Sequence, residues 1–377
     1  MEKRVLLIRN IVPDFYGGGE TYQLKLAEQL KKDGFKPYIV TSSKKLFEEG
    51  RRLGFNVIKA PYNFQQNWSG ARNLLFPKYF MWQKSLEKWY GELFDKIKPI
   101  TVNIQSRDDF IAATLAAKER GIKILWTDHM DFRSWVMENV TVPYKNLIGK
   151  WILKCAEKVN TIIMISDYEK NAFCEYYDGG NVVVIKNGAV DEKKEHMAIK
   201  AVPHSFVFVG RVVDYKGIAE LLMAFSKVRG KYPKAVLNIY GAGEIDEFKK
   251  IAGEGVVFHG ETKEPLKALA ENDVFVLPSY REGLSLSLLD AAMMGKKIIA
   301  SDVDGNPEVI ENKVSGLLVP AKSAEKLAEA MMWMIENPRE ASKMAQKARK
   351  QYEEKFDFEK IFAEKMLPLY NNRKELK

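Results

Sequence analysis

The chain has 377 residues, 46% of them apolar and 29% charged, and 59 basic against 50 acidic side chains give a formal charge of +9. The apolar fraction is too high for a disordered chain, and 25 glycines with 14 prolines exclude a collagen-like or low-complexity composition. At about 150 residues per domain, this length predicts two or three globular domains. The positive charge leaves four explanations open, namely nucleic acid, an anionic membrane, a phosphorylated ligand or solubility alone.

Cysteine usage and apolar segments predict a cytoplasmic protein. Cys155 and Cys174 are too few for a disulfide framework, and no cluster of Cys and His has the spacing of a zinc site. The apolar run Val5–Ile8 is too short for the core of a signal peptide. No segment reaches the roughly 18 uninterrupted apolar residues of a membrane-spanning helix.

Short β-branched runs alternate with longer helical patterns in the first half of the chain, which predicts a parallel sheet covered by helices. Thr21–Lys32, for example, has apolar residues at helical spacing. The predicted strands are Val5–Arg9, Pro37–Thr41, Thr101–Gln105, Lys123–Thr127, Thr161–Ile165 and Val182–Ile185. We expect these elements to form a doubly wound domain over residues 1–190.

The region from Pro61 to Pro99 breaks this alternation because aromatic and basic residues accumulate there. Its aromatic residues are Tyr62, Phe64, Trp68, Phe76, Tyr79, Phe80, Trp82, Trp89, Tyr90 and Phe94. Its basic residues are Arg72, Lys78, Lys84, Lys88, Lys96 and Lys98. The mixture suits a surface that contacts lipid headgroups or a lipid-linked acceptor. The alternative is a helical cap whose aromatic side chains face the core.

The alternation of strands and helices starts again after a linker. Asn187-Gly188 and the charged stretch Asp191–Glu195 have no periodicity and are interpreted as this linker. The predicted strands that follow are Ser205–Val209, Ala235–Tyr240, Val256–His259, Asp273–Leu277, Lys297–Ala300 and Gly316–Val319. We expect a second doubly wound domain over residues 191–355 and a C-terminal helix over 356–377 that packs back on the first domain.

Two loops between a strand and a helix have the residues of an anion site. Gly17–Glu20 would let a ligand approach the backbone at a helix N-terminus, although a plain tight turn would look the same. Arg211 and Lys216 could clamp a pyrophosphate, the first as a planar fork and the second as a point charge. Both would offset charge on a leaving phosphate. The alternative is a pair of solvated surface cations.

The segment from Pro278 to Gly295 is the most informative motif. The strand Asp273–Leu277 ends in a Pro-Ser turn, after which Glu282-Gly283 is predicted to open a helix that ends near Gly295. The free backbone N–H groups of Gly283, Leu284 and Ser285 would then point at a bound anion. Glu282 and Asp290 are eight residues apart, so both carboxylates could face one ligand, one at sugar hydroxyls and the other at a ribose.

Taken in order, these motifs resemble the retaining, nucleotide-sugar-dependent glycosyltransferases of the GT-B fold, family 4. The resemblance covers Gly17–Glu20, Asn187–Asp191, Gly210-Arg211, Lys216-Gly217, Glu282–Gly295, Ile298–Ser301, Gly305–Glu308 and Gly316–Pro320. The family has a Glu at each end of a seven-residue spacer, whereas the second acid here is Asp290. The implied fold is α/β, with two Rossmann-like parallel-sheet domains that face a central cleft. The first would bind the acceptor and the second the nucleotide-sugar donor.

The resemblance also implies roles for individual residues. Arg211 and Lys216 correspond to the diphosphate clamp, Glu282 to the acid that contacts the donor sugar, and Asp290 to the ribose-binding acid. His129 stands where the family has a histidine beside the donor sugar and acceptor, although a lone histidine is more often structural. The remaining implied donor-binding residues are Gly18, Gly19, Gly210, Gly260, Glu261, Gly283, Leu284 and Ser285.

The implied reaction is the retaining transfer of a hexose from a nucleotide diphosphate sugar, with a UDP-sugar favoured, to a glycan, lipid-linked or lipopolysaccharide-type acceptor. No catalytic nucleophile is evident, so the leaving phosphate would help to take the acceptor's proton. The alternatives are an epimerase or hydrolase of sugar nucleotides, or a non-catalytic binding subunit. Such a role fits the synthesis of cell-envelope polysaccharide on the inner face of the plasma membrane, with peripheral contact through 61–99.

We expect neither a metal nor another cofactor. Asp302-Val303-Asp304 has the DxD spacing of metal-dependent glycosyltransferases, but it lies within a stretch that matches the metal-independent family, so we interpret it as a coincidence. We also expect no nucleic-acid partner, because the sequence has no recognised nucleic-acid motif and a diphosphate clamp accounts better for the paired cations.

Overall fold

The computed structural model describes residues 2–11, 17–61, 76–129, 132 and 147–371. Its contacts divide the chain into two units. The N-terminal unit comprises Met1–Ile185 and Phe362–Lys377, and the C-terminal unit comprises Lys186–Ile361. Each unit contains one parallel sheet, which confirms the expectation of two parallel-sheet α/β domains.

The unit boundaries differ by a few residues from the expected positions at 190 and 355. Ala189 explains the first difference, because its N–H donates to the Phe356 carbonyl and its own carbonyl accepts from the Tyr352 hydroxyl. Residues just after Ile185 are therefore tied into the C-terminal unit. The N–H of Phe358 donates back to the Ala189 carbonyl, which keeps the chain in the C-terminal unit beyond residue 355.

The N-terminal sheet has seven strands in the order β3-β2-β1-β4-β5-β6-β7. The strands are β1 Lys3–Ile8, β2 Phe35–Thr41, β3 Asn56–Lys59, β4 Thr101–Ile104, β5 Lys123–Asp128, β6 Thr161–Met164 and β7 Val182–Val184. Val5–Ile8 of β1 is fully buried, as expected for a central parallel strand that is covered on both faces. The strand β3 was not predicted, since this short edge strand has polar residues at both ends and only two apolar ones between them.

Helices connect these strands. They are α1 Gly18–Lys32, α2 Lys44–Arg52, α3 Phe76–Ile97, α4 Ala112–Glu119, α5 Leu147–Ala156 and α6 Asp167–Cys174. Serine is the N-cap residue of α2 and α6, where Ser43 and Ser166 accept hydrogen bonds from the N–H groups of Leu46 and Glu169. No helix in the described part of the chain has both the length and the apolar composition needed to cross a membrane.

Most described aromatic side chains of α3 are core residues. Tyr79, Tyr90 and Phe94 are buried, and Trp82 and Trp89 pack partly against the same core. Phe80 is the exception, since 42% of its surface is exposed. The predictions for Tyr62, Phe64, Trp68 and Arg72, and for the side chain of Phe76, fall outside the described residues.

The chain returns to the N-terminal unit at its C-terminal end. A π-helical turn over Phe362–Met366 leads into a last short helix, Leu367–Tyr370. Asn103 of β4 donates a 2.6 Å hydrogen bond to the buried Tyr370 hydroxyl, and the ring of Tyr370 meets Phe35 edge-on. This segment therefore completes the core of the first sheet.

The C-terminal sheet has six strands in the order β10-β9-β8-β11-β12-β13. The strands are β8 Val202–Val209, β9 Val236–Tyr240, β10 Val256–Gly260, β11 Asn272–Leu277, β12 Lys297–Ser301 and β13 Leu317–Val319. The helices are α7 Lys193–His196, α8 Ile218–Lys231, α9 Ile245–Lys249, α10 Pro265–Glu271, α11 Leu286–Met294, α12 Asn306–Val309, α13 Ala324–Glu336, α14 Pro338–Lys355 and α15 Phe358–Ile361. The short helix Leu367–Tyr370 of the N-terminal unit is α16.

Candidate active site

Glu282 lies in the loop that follows β11, where it meets Lys216 from the loop that follows β8. The Lys216 Nζ lies 2.6 Å from Glu282 Oε1, and the Ser279 hydroxyl donates to the same oxygen, also at 2.6 Å. Only 14% of the Lys216 side chain and 8% of the Glu282 side chain are exposed. Because β8 and β11 are neighbours in the sheet, folding brings together two residues that the sequence analysis had selected independently.

Close contact between these two loops depends on Gly217. A 3-10 turn over Asp214–Lys216 ends at Gly217, which has a φ of 70° and is the N-cap residue of α8. A Cβ at this position would lie only 2.1 Å from the Pro278 carbonyl oxygen. Glycine is therefore required both for the left-handed backbone and for the close approach that places Lys216 against Glu282.

Three cations surround the ring of Tyr215, which the sequence analysis missed. Arg211 donates to the Tyr215 hydroxyl, and its guanidinium lies 5.2 Å from the centre of the ring. Arg281 approaches the same ring at 5.2 Å and Lys216 at 5.6 Å. The sequence signal that could have indicated Tyr215 is its position between Arg211 and Lys216, the two cations predicted to bind the diphosphate. Positive charge is thus concentrated beside Glu282, at the carboxyl ends of β8 and β11.

The DxD segment has a structural role in the Glu282 loop. The Asp304 carboxylate accepts a 2.7 Å hydrogen bond from the backbone N–H of Glu282. The N–H of Asp302 donates to the Val319 carbonyl, which ties the segment to β13. Among the described residues, no group of three or more His, Cys, Asp or Glu side chains could hold a metal ion.

The predicted start of the following helix was wrong. α11 begins at Leu286, and Ser285 is its N-cap, accepting from the N–H of Leu288. Serine is a favoured N-cap, so the helix starts after Gly283 and Leu284 rather than at Glu282-Gly283. Glu282 is consequently a loop residue, so its eight-residue separation from Asp290 does not place the two carboxylates on one helix.

The other predicted donor-binding residues of this unit occupy separate positions. Asp290 is partly buried in the middle of α11. Gly210 follows β8, and its N–H donates to the Tyr240 carbonyl. Gly260 ends β10, an edge strand of the sheet, and Glu261 is exposed just beyond it.

In the N-terminal unit, Gly18 and Gly19 are the first residues of α1. Glu20 caps this helix by accepting from the Gly17 N–H at 2.7 Å and binds Arg9 at 2.6 Å. The Glu20 side chain is fully buried, and that of Arg9 is 12% exposed. A Cβ on Gly19 would lie 2.1 Å from Arg9 Nη2, so this guanidinium covers the glycine backbone. The sequence analysis missed Arg9, whose signal is a cation at the end of an apolar strand.

His129 follows β5 directly. Its Nε2 lies 3.3 Å from Gln105 Oε1, and Tyr22 packs against its ring edge-on at 4.9 Å. Burial lowers the pKa of His129 well below its usual value of 6.5, with a further contribution from the charges of Arg9 and Arg107. The imidazole is therefore neutral near pH 7, and a proton on Nε2 donates to Gln105.

Gln105 and Arg107 complete the surroundings of this histidine. Arg107 forms a buried ion pair with Asp128 at 2.9 Å. The Gln105 amide nitrogen is buried and has no hydrogen-bond partner among the described residues. Arg9 and Arg107, the two arginines near His129, thus each have a carboxylate partner, whereas the Gln105 amide nitrogen has no hydrogen-bond partner among the described residues.

The chain is similar to known proteins in both fold and sequence. The crystal structure of Anabaena HepE in complex with UDP covers 97% of this chain and 99% of its own, with a TM-score of 0.75 at 15% identity. An uncharacterized glycosyltransferase of Haemophilus influenzae is 25% identical over 359 residues, covering 92% of this chain and 95% of that protein. The two parallel-sheet units thus form the GT-B fold of a glycosyltransferase.

Two family models match consecutive parts of the chain. The model described as Glycosyltransferase Family 4 matches residues 16–193, and the model described as Glycosyl transferases group 1 matches residues 189–351. The N,N'-diacetylbacillosaminyl-diphospho-undecaprenol alpha-1,3-N-acetylgalactosaminyltransferase of Campylobacter jejuni is 30% identical over 174 residues, 44% of each chain. The protein belongs to the family 4-type glycosyltransferases of the GT-B fold.

Proposed function

We propose that this enzyme transfers a hexose, with retention of configuration, from a UDP-sugar to a glycan, lipid-linked or lipopolysaccharide-type acceptor. The observation that carries the proposal is the pair of Lys216 and Glu282 beside the cations around Tyr215. A diphosphate needs positive charge and N–H donors, and sugar hydroxyls need a carboxylate acceptor. This group of side chains offers both. The choice of UDP is supported by the ligand of HepE.

The resting ion pair suggests how the donor would be received. The diphosphate would compete for Lys216, and Glu282 would then accept a hydrogen bond from a hydroxyl of the donor sugar. Arg211, Lys216 and Arg281 would stabilise the charge that develops as the bond to the leaving phosphate breaks, so no metal is required. The departing phosphate would take the acceptor's proton, and the protein would position the two reactants.

The residues of the N-terminal unit have supporting roles in this proposal. The neutral ring of His129 would hydrogen-bond with the sugar or the acceptor, and Gly18 and Gly19 would lie close to the phosphates. In the C-terminal unit, Asp290 would bind the ribose, and the backbone at Gly260 and Glu261 would bind the base. Backbone groups of Gly210, Gly283, Leu284 and Ser285 would complete the donor site.

A panel of UDP-, GDP- and ADP-sugars tests the donor by thermal stabilisation, because a ligand that binds the native state raises its apparent stability. For the nucleoside diphosphate of the best donor, Lys216→Met should weaken binding by about ten- to a hundredfold in calorimetry, since it removes a charged hydrogen bond. Lys227→Met is the matched control, because Lys227 pairs with Glu325 at an exposed site. Unchanged affinity in Lys216→Met would rule out the clamp.

Product analysis with and without acceptor separates the remaining functions. Turnover of the donor to an epimer or a free sugar without any acceptor would indicate an epimerase or hydrolase. Donor binding without turnover in the presence of glycan and lipid-linked acceptors would indicate a binding subunit. Activity that EDTA abolishes and Mn²⁺ restores would contradict the metal-independent mechanism.

Exposed apolar and basic side chains on the N-terminal unit support a lipid-linked acceptor. The Campylobacter relative is named for a diphospho-undecaprenol acceptor. On this chain Phe80 of α3 stacks on Trp151 of α5, and exposed apolar surface continues at Met81 and Leu147. The exposed cations on the same two helices are Lys78, Lys84, Lys88, Lys96, Lys150 and Lys154. Apolar side chains bordered by lysines suit the surface of an anionic bilayer on its cytoplasmic side.

Vesicle binding tests this face. Replacing all three of Lys78, Lys84 and Lys150 by Gln should reduce binding to anionic vesicles in low salt by about a hundredfold, at about 1 kcal/mol for each lysine. Neutral vesicles and a variant with three exposed lysines of α14 replaced, Lys343, Lys347 and Lys350, are the controls. Equal loss in both variants would show a net-charge effect and would count against a dedicated face.

A further inference from the structure

The C-terminal unit has a basic cavity at the end of its sheet opposite the candidate active site. The cavity has a volume of about 390 Å³ and is lined by Lys193, Lys296, Lys297 and Arg349, with Asp273 as its acidic residue. Asp273 and Lys297 stand at the starts of β11 and β12, whereas Glu282 follows the end of β11. A six-residue strand at about 3.3 Å per residue separates these ends by roughly 16 Å.

Two of the four cations already have carboxylate partners. Lys297 Nζ lies 2.8 Å from Asp273, and Arg349 binds Asp191. Arg349 also donates to the Met293 carbonyl at the end of α11, which is a common role for a cation at a helix C-terminus. These contacts explain Lys297 and Arg349 as parts of the scaffold.

Lys193 and Lys296 differ from that pair. Neither ammonium has a carboxylate within ion-pair distance in the described part of the chain, and the contact from Lys296 Nζ to the Ala270 carbonyl is long, at 3.5 Å. Burial lowers the pKa of Lys296 to about 8; Asp273 opposes this shift, and the charges of Lys297 and Lys193 add to it. A partly buried ammonium beside other cations is costly, and a bound anion would relieve that cost.

We propose that this cavity is a binding site for a small phosphate monoester whose phosphate group is held by Lys193 and Lys296. A phosphate dianion offers several strong acceptors to two ammonium groups. The volume lies within the range of about 300–1,000 Å³ that is usual for small-molecule pockets. Ser342 and Gln346 also line the cavity and supply a hydroxyl and an amide for the organic part of the ligand.

Calorimetry with sn-glycerol 3-phosphate, inorganic phosphate and glycerol tests this site on the full chain in low salt. We expect glycerol phosphate to bind more tightly than inorganic phosphate and glycerol not to bind. Lys193→Met and Lys296→Met should each weaken binding about tenfold or more, as for the loss of a charged hydrogen bond. Lys194→Met, which removes an exposed charge from the same helix as Lys193, should have no such effect.

The result with Lys216→Met separates this cavity from the candidate active site. We expect this variant to keep its affinity for glycerol phosphate. Loss of binding in Lys216→Met but not in the two cavity variants would place the phosphate at the candidate active site and overturn the proposal. Absence of binding in the native chain would do the same, and equal affinity for the two phosphates would overturn the assignment of a monoester.

The pH dependence provides a second readout. The charged groups that face Lys296 are Asp273 on β11, Lys297 on β12, Lys193 on α7 and Arg349 on α14. Between about pH 7.5 and about pH 9.5 the phosphate remains a dianion while Lys296 loses its proton, so affinity should fall. Lys296→Arg should bind with a flatter profile. A native profile with no fall in this range would contradict the role of Lys296.

Discussion

Each unit of this glycosyltransferase places a cation and a carboxylate together just after a central parallel strand, but the two pairs have different surroundings. In the N-terminal unit, Arg9 binds Glu20, whose fully buried carboxylate also caps α1. In the C-terminal unit, Lys216 binds Glu282 between two loops, and further cations gather on the Tyr215 ring. The first pair stabilises the start of a helix, whereas the second lies beside further positively charged side chains.

The balance of charge around each pair distinguishes scaffold from ligand site. Near Arg9, the other buried arginine is Arg107, and it has its own carboxylate in Asp128. Around Tyr215, Arg211 and Arg281 join Lys216, and Lys216 binds the carboxylate of Glu282. Cations gathered on one ring can attract an anion, as we propose for the donor diphosphate, whereas a buried pair such as Arg107 and Asp128 forms part of the fold.

The largest effect on stability is expected from Glu20→Gln. The substitution removes a buried negative charge and leaves Arg9 without its ion-pair partner, so the free energy of unfolding should fall by about 3–5 kcal/mol. Denaturant unfolding measures this change. The matched control is Glu49→Gln, which breaks the exposed pair with Arg52 and should cost less than about 1 kcal/mol. Equal costs for the two variants would contradict a scaffold role for the Arg9 pair.

Glu282→Gln should have a large effect on turnover and a smaller effect on stability than Glu20→Gln, because Glu20 is fully buried and also caps α1. The variant keeps the size of the side chain but loses the charge that faces Lys216, and we expect kcat to fall by about 10²–10³-fold. Steady-state kinetics and thermal unfolding on the same samples separate the two effects. Near-normal kcat would remove Glu282 from the proposed mechanism, and a cost in stability as large as that of Glu20→Gln would remove the contrast between the units.

A smaller effect is expected from His129 and depends on pH. The pKa of His129 is lowered in the folded state, so below about pH 6.5 the unfolded chain binds a proton that the native state does not. His129 thus makes stability fall with decreasing pH, by at most about 1.4 kcal/mol per pH unit, until its folded pKa is reached. His129→Gln should flatten the difference in unfolding free energy between pH 7 and lower pH. An unchanged slope would show that other groups cause it.

Much of the fold was predictable because the parallel strands are continuous apolar runs. Every central strand was anticipated, and β3 was missed because an edge strand of four residues, Asn56–Lys59, has too little apolar pattern. The start of α11 was misplaced since Glu282-Gly283 and Ser285 are both plausible beginnings, and only the hydrogen bonds of the loop decide between them. Local pattern thus predicts which elements exist better than it predicts where they begin.

The sequence by itself determined the class of fold, because periodicity is a local property, and its motifs supplied the residues that we propose for a diphosphate and a sugar. The tertiary structure decided which charges are matched. It brought Lys216 to Glu282 from the loops after neighbouring strands and paired Arg9 with Glu20. It placed the Asp304 carboxylate where it accepts a hydrogen bond from the backbone N–H of Glu282. It also gathered Lys193 and Lys296 at one cavity. Electrostatic balance depends on distance and burial, and neither can be read from the order of residues.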